Sequence, residues 1–148
     1  MSDKRIVLLV EDNPDDEALT LRALKKNNIL NEVMVARDGA EALEYLLGSN
    51  GKPGRLRLEQ LAVVLLDLKL PKVNGLEVLR RVRADPRTKL LPIVVLTSSK
   101  EEKDLLGAYH SGANSYVQKP VEFADFVEAT RNLGLYWLVT NAPPPVTR

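Results

Sequence analysis

Four short stretches of this chain, three of them apolar runs, each read as a strand that ends at a residue able to do chemistry. Residues 5–10 run into Glu11 and Asp12, residues 62–67 close on Asp67, residues 92–97 close on Thr97, and residues 115–119 close on Lys119. Three carboxylates gathered in one place repel one another unless a divalent cation or a lysine neutralises them. Hard oxygen donors of this kind suit Mg²⁺, with Mn²⁺ as the alternative. A carboxylate held beside a cation and a lysine can be the nucleophile that accepts a phosphoryl group, with the flanking charges balancing a loose transition state. A hydroxyl such as Thr97 can donate to a phosphoryl oxygen once it arrives.

For these residues to meet, the runs must be strands whose C-terminal ends share one edge of a sheet. The unbroken apolar run at 62–67 suits a strand covered on both faces, as in a parallel sheet. Helical patterns separate the runs. Asn13-Pro14 starts the first helix, with Asn13 as cap and Asp15, Asp16 and Glu17 favoured by the macrodipole. Those last three acids read as a solvated helix entry, and Ala18, Leu21 and Leu24 as the buried stripe. A second short strand at 32–36 leads through a capping pair, Asp38 and Glu41, into a helix with Ala42, Leu43, Leu46 and Leu47 on one face, ending at Gly48. Residues 49–60 form a long loop with a short helical turn near its end. Pro71 and Asn74-Gly75 turn the chain after Asp67. A third helix follows with Leu76, Val78, Leu79 and Val82, stopped by Asp85-Pro86. Ser99 and Glu102 are expected to cap a fourth helix carrying Leu105, Leu106, Ala108 and Tyr109, and the last helix runs from about 122 to 139. Strand and helix alternate five times, which implies right-handed crossovers and an α/β fold, a doubly wound parallel sheet with helices on both faces. In such sheets ligands bind outside the carboxyl ends of the strands.

Composition narrows the chemistry. The 148 residues suit one domain, and the absence of cysteine excludes disulfides and thiolate sites and fits a cytoplasmic setting. No stretch is long and apolar enough to span a bilayer, so no membrane role is expected. With 21 basic against 20 acidic residues there is no electrostatic pull toward nucleic acid. The single histidine, His110, reads as a solvated side chain, and Arg80, Arg81 and Arg83 as the wet face of the third helix.

The motifs LLVEDNPDD, LLDLKLPKVNG, PIVVLTS and SGANSYVQKP, in this order, resemble those of the receiver domain of two-component response regulators. The resemblance covers residues 4–139 and implies a flavodoxin-like three-layer sandwich with strand order 2-1-3-4-5. It implies that Asp67 takes a phosphoryl group from a phosphohistidine on a sensor histidine kinase. It implies Mg²⁺ held by Asp12, Asp67 and the backbone carbonyl of Lys69, with Glu11 acting through water. Thr97 would be the switch hydroxyl, Tyr116 the aromatic that follows it inward, and Lys119 the cation on the phosphate, with a cis Lys119-Pro120 bond. The side chain of Lys69, two residues after Asp67, either brings charge to the phosphoryl group or points to solvent. ARDGAEALEYL, the long loop before the central strand, LPKVNGLEVL and the ending LYWLV further resemble stand-alone regulators that partner phytochrome-type histidine kinases.

We expect a receiver domain at 4–140, a disordered tail at 141–148 and no output domain, so output must pass through a surface. The last helix needs Phe123, Phe126, Val127, Thr130 and Leu133 for one buried stripe, yet also carries Leu135, Tyr136, Trp137, Leu138 and Val139. The surplus, with Tyr109 and the fifth strand, is expected to form a homodimer contact through the fourth helix, fifth strand and fifth helix, with Tyr109, Tyr136 and Trp137 in it; a last turn folded back on its own core is the alternative for Trp137. Two other functions fit the residues less well. A Mg²⁺-dependent phosphohydrolase of the haloacid dehalogenase type needs a second Asp where Lys69 stands. A scaffold that ignores phosphate has no need of all of Glu11, Asp12, Asp67, Thr97 and Lys119.

Overall fold

A computed structural model describes residues 5–49 and 52–145. Five strands, β1 (Ile6–Val10), β2 (Val33–Ala36), β3 (Leu61–Leu66), β4 (Ile93–Thr97) and β5 (Ser115–Gln118), form one parallel sheet in the order β2-β1-β3-β4-β5. Five helices alternate with them: α1 (Pro14–Lys26), α2 (Gly39–Leu46), α3 (Gly75–Ala84), α4 (Glu102–His110) and α5 (Phe123–Gly134). Every residue of β3 and of β4 is buried, as a strand covered on both faces requires. One face of the sheet packs against α2 and α3 through Leu8, Val10, Leu46, Val64, Leu66, Leu79 and Val82. On the other, Val7, Leu9, Val63, Leu65 and Val94 meet the α1 and α5 layer. A single 3-10 turn, Leu58–Gln60, closes the long loop before β3, where a short helical turn is expected. Among the described residues no helix is long and apolar enough to cross a membrane.

Several local expectations are corrected. In α1, Ala18 is exposed and the buried stripe is Thr20, Ala23 and Leu24, because α5 lies against that side of the helix. Ser99 does not cap α4: the residue before the helix is Glu101, whose side chain makes no capping bond. Of the apolar residues of α4 only Ala108 is buried, and Leu106 and Tyr109 are 52% and 51% exposed. The chain after α5 continues to Thr140 as a π-helical turn, Leu135–Thr140, not as α-helix. Gly134 sits where a Cβ would come within 2.2 Å of Ile29 Cδ1, so the chain crosses there in close contact. The wider turn then rolls Trp137 and Leu138 onto the β1-β3-β4 core and leaves Tyr136 and Val139 outside. Trp137 is therefore half-buried on its own core, and Tyr136 meets its ring edge-on at 4.9 Å. The described part of the tail, residues 141–145, has neither helix nor strand; residues 146–148 lie outside the described residues, as does Lys4 at the expected start of the domain.

Arg83, read from the sequence as a wet-face residue, is instead a staple. Its guanidinium donates to the carbonyls of Gly112 (2.8 Å) and Lys89 (2.9 Å) and to Asn114 Oδ1 (2.8 Å), and Asn114 Oδ1 also accepts from Ile93 N–H at 2.7 Å. Gly112 has φ +105°, and a Cβ there would strike Arg83 Cγ at 2.6 Å, so glycine both ends α4 and lets the arginine cross.

Candidate functional site

The ladder itself brings the strand ends together. Beyond the strands proper, Glu11 N–H donates to Ala36 O (2.9 Å), Asp67 N–H to Val10 O (3.1 Å) and Lys119 N–H to Thr97 O (2.7 Å). These bonds hold Glu11, Asp67, Thr97 and Lys119 along one edge. One carboxylate oxygen from each of Glu11, Asp12 and Asp67 lies within 4.8 Å of the others. Oxygen ligands of an octahedral ion with bonds of about 2.1 Å stand roughly 3 to 4 Å apart, so a small closure, or one water between Glu11 and the ion, completes the set. All three donors are hard oxygens, and the residues fit a divalent cation. Asp12 is exposed, while Asp67 is 9% and Glu11 1% exposed.

Asp67 is placed by its neighbours. Gly75 N–H donates to Leu68 O at 2.8 Å, and a Cβ on Gly75 would come within 2.4 Å of Asp67 O, so only glycine lets α3 start this close to the strand end. Asn74 caps α3 by accepting from Glu77 N–H at 3.0 Å. Asp67 Oδ1 accepts from Lys69 N–H at 3.4 Å, and the side chain of Lys69 is exposed.

Lys119 is the hub. Its Nζ donates to Glu11 Oε1, to Asp16 Oδ2 at 3.2 Å and to Asp67 Oδ2 at 3.4 Å. Glu11 Oε2 accepts from Asn13 N–H at 3.3 Å, so both oxygens of this buried carboxylate are partnered. Burial is the main influence on Glu11 and pushes its carboxyl up to about 7; the Lys119 hydrogen bond opposes this and the charge of Asp67 adds to it. Burial alone would favour a neutral Lys119, but its hydrogen bond to Glu11 and the charges of Asp67, Glu11 and Asp16 hold the ammonium above the ordinary lysine range.

Thr97 is 1% exposed, and its Oγ1 accepts from Ser99 N–H at 3.3 Å. Ser99 Oγ donates to Asp104 on α4 at 2.6 Å and accepts from Glu101 N–H at 3.2 Å. Tyr116 hydroxyl donates to Ser99 O at 3.2 Å, and burial raises its phenol above the usual range. The structure thus joins Thr97 and Tyr116 through the loop that leads into α4. The Lys119-Pro120 bond, cis in the resemblance, is not cis here. His110 is exposed, as expected. Tyr109 and Tyr136 are half-exposed.

Two side chains of this region escape sequence reasoning. Asp16 belongs to the site through Lys119 and is not only a solvated helix entry. Asp104 holds Ser99, where a capping pattern points to Glu102. No spacing rule links Asp16 to a lysine 103 residues away.

Comparison with known proteins agrees with this geometry. The family model of the response regulator receiver domain matches residues 7–131. A probable methanogenesis regulatory protein, FilR2, of Methanothrix harundinacea is 40% identical over 142 residues, covering 96% of this chain and 89% of that protein. The response regulator Rcp1 of Synechocystis is 34% identical over 140 residues, covering 95% and 93%. A crystal structure of the Mn²⁺-bound form of Rcp1 superposes with a TM-score of 0.83 at 33% identity, covering 95% of this chain and 99% of that one. The structure of the bacteriophytochrome response regulator AtBRR is 52% identical with a TM-score of 0.70, covering 93% and 98%.

Proposed function

Since this chain belongs to the response regulator receiver-domain family, whose partners are histidine kinases, we propose that Asp67 is its phosphoacceptor. In the transfer, a carboxylate oxygen of Asp67 bonds to phosphorus as the phosphorus–nitrogen bond of a phosphohistidine breaks, its electron pair remaining on the imidazole. The observation that carries this reading is the surrounding of Asp67: a strand-end carboxylate with Lys119 Nζ 3.4 Å from one oxygen and oxygens of Glu11 and Asp12 within 4.8 Å. Glu11, Asp12 and Asp67, with the carbonyl of Lys69, would hold Mg²⁺ or Mn²⁺. When bound, the cation neutralises the charge that a phosphoryl dianion adds. Lys119 supplies the protein's own positive charge there, and the near-complete burial of Glu11 and Asp67 excludes most water from between them.

Thr97 is the switch hydroxyl in this reading. Its Oγ1, now accepting from Ser99 N–H, turns to donate to a phosphoryl oxygen, and Tyr116 follows into the vacated space. Because the same loop carries Ser99, whose hydroxyl grips Asp104, the change reaches α4. The output is a protein–protein surface on α4, β5, α5 and the π-helical turn after α5, where Leu106, Tyr109 and Tyr136 are half-exposed, and a second copy of this chain is the occupant we infer. We read the protein as a cytoplasmic signalling component and not a turnover enzyme. Its kinase is a phytochrome-type sensor, a reading supported by the likeness to a bacteriophytochrome response regulator.

The test is incubation of the protein with Mg²⁺ and acetyl phosphate beside Asp67→Asn and Thr97→Ala. One acid-stable, base-labile phosphoryl group on the parent and none on Asp67→Asn is the expected result. Thr97→Ala should still be modified, yet its oligomeric state should no longer respond. Equal labelling of Asp67→Asn refutes the assignment.

A further inference from the structure

We propose that Asp16 is a positioning residue for phosphoryl transfer: its carboxylate holds the Lys119 ammonium toward α1 and so withholds it from a phosphoryl group arriving at Asp67. The inference rests on Asp67 as phosphoacceptor and adds a residue that reading does not require.

An ammonium has three protons to donate. Here three carboxylates take them, and the contact with Asp67, at 3.4 Å, is longer than the 3.2 Å contact with Asp16. Glu11 and Asp67 approach from the interior, with side chains 2% and 11% exposed, whereas that of Asp16 is 37% exposed and approaches from the solvent side. The backbone at Asp16 is fixed. Its N–H donates to Asn13 Oδ1 at 3.2 Å and its carbonyl accepts from Thr20 Oγ1 at 2.9 Å, so the first turn of α1 delivers the carboxylate to Lys119.

A phosphoryl group on Asp67 brings about two negative charges and needs N–H donors. A proton of Lys119 engaged by Asp16 has to be released first, and the Asp16 charge itself repels the incoming dianion. Both effects slow uptake. Asp15 provides the internal comparison: it carries the same charge in the same first turn, is exposed, and makes no ion pair with Lys119.

The parent protein, Asp16→Asn and Asp15→Asn are compared with Mg²⁺ and acetyl phosphate, following formation of the aspartyl phosphate by mass spectrometry. Asp16→Asn should raise the second-order uptake constant about three- to tenfold, and Asp15→Asn should change it by less than about twofold. Equal acceleration by both variants means bulk charge alone, and overturns the proposal, as does unchanged or slower uptake by Asp16→Asn. A second readout needs no phosphotransfer: acylation of Lys119 by an N-hydroxysuccinimide ester, read peptide by peptide. Its rate should rise in Asp16→Asn and not in Asp15→Asn. Should the parent take up no phosphoryl group, the phosphoacceptor reading fails by itself, and unchanged acylation of Lys119 is what refutes the role of Asp16.

Discussion

Glu11 should make the metal-free protein less stable as pH rises toward neutrality, the reverse of what a carboxylate held low by a nearby cation does. Its folded-state value is about 7 against a reference of 4.5, chiefly because the carboxylate is removed from water. The folded state therefore holds this proton more tightly than the unfolded chain. Below about pH 4.5 both states are protonated and nothing is lost; between there and about 7 the unfolded chain ionises first and stability declines; above about 7 the loss is complete. At about 1.4 kcal/mol per tenfold change in proton affinity, the whole loss is about 3 kcal/mol. The carboxyls of Asp38, Glu77 and Asp85 are held low and titrate beneath this window, while Lys119 and Tyr116 are held high and titrate above it. Urea unfolding in a chelator, followed by circular dichroism from about pH 5 to about pH 8.5, measures the slope. Glu11→Gln removes the titrating group and should flatten the profile. Mg²⁺ added at the alkaline end should recover stability in the parent, since the cation favours the ionised carboxylate. Parental stability that stays level or climbs across the window, or a Glu11→Gln profile as steep as the parent's, refutes the reasoning.

Three further outcomes rest on other parts of the fold. Arg83→Met keeps the aliphatic stem but deletes three charge-assisted bonds of 2.8 to 2.9 Å; after allowing for the cost of burying the guanidinium, the loss is about 2 to 3 kcal/mol, seen as a melting temperature lower by about 5 to 10 °C. Gly75→Ala drives a Cβ to within 2.4 Å of Asp67 O and should cost about 2 kcal/mol, whereas Gly107→Ala meets only the movable tip of Leu76 at 3.3 Å and should gain about 0.5 to 1 kcal/mol; equal denaturation midpoints for the two variants contradict a tight backbone approach at Gly75. Sedimentation at micromolar concentration should show a dimer that Tyr109→Glu weakens, and a monomer indifferent to phosphorylation removes α4-β5-α5 as the interface.

The strand-end chemistry is legible in the sequence because topology leaves it no freedom. Once 62–67 reads as a strand buried on both faces, the sheet must be parallel, and every C-terminal strand end falls on one edge whatever the helices do. The caps at Asn13 and Asp38 are equally legible, since a cap bonds to a backbone N–H two or three residues away; Asn74, read as part of a turn, caps α3 in the same way. One misreading is local, since Ser99 turns its hydroxyl to Asp104 five residues on and does not cap α4; the others begin where the deciding partner is remote. Ala18 and Ala23 stand on different faces of α1, and only the position of α5 decides which face is buried. Arg83 satisfies an amphipathic pattern as a wet residue, yet its partners Gly112 and Asn114 stand 29 and 31 residues further on. An acid at Asp16 is already explained by the macrodipole, and that sufficient local reason conceals a partner across the sheet. It follows that a chain keeping Glu11, Asp12, Asp67, Thr97 and Lys119 while replacing Asp16 would share this fold and this edge, yet present its lysine to phosphate differently. Within such a common frame, the difference between two chains lies in long-range polar pairs of this kind, which spacing does not encode.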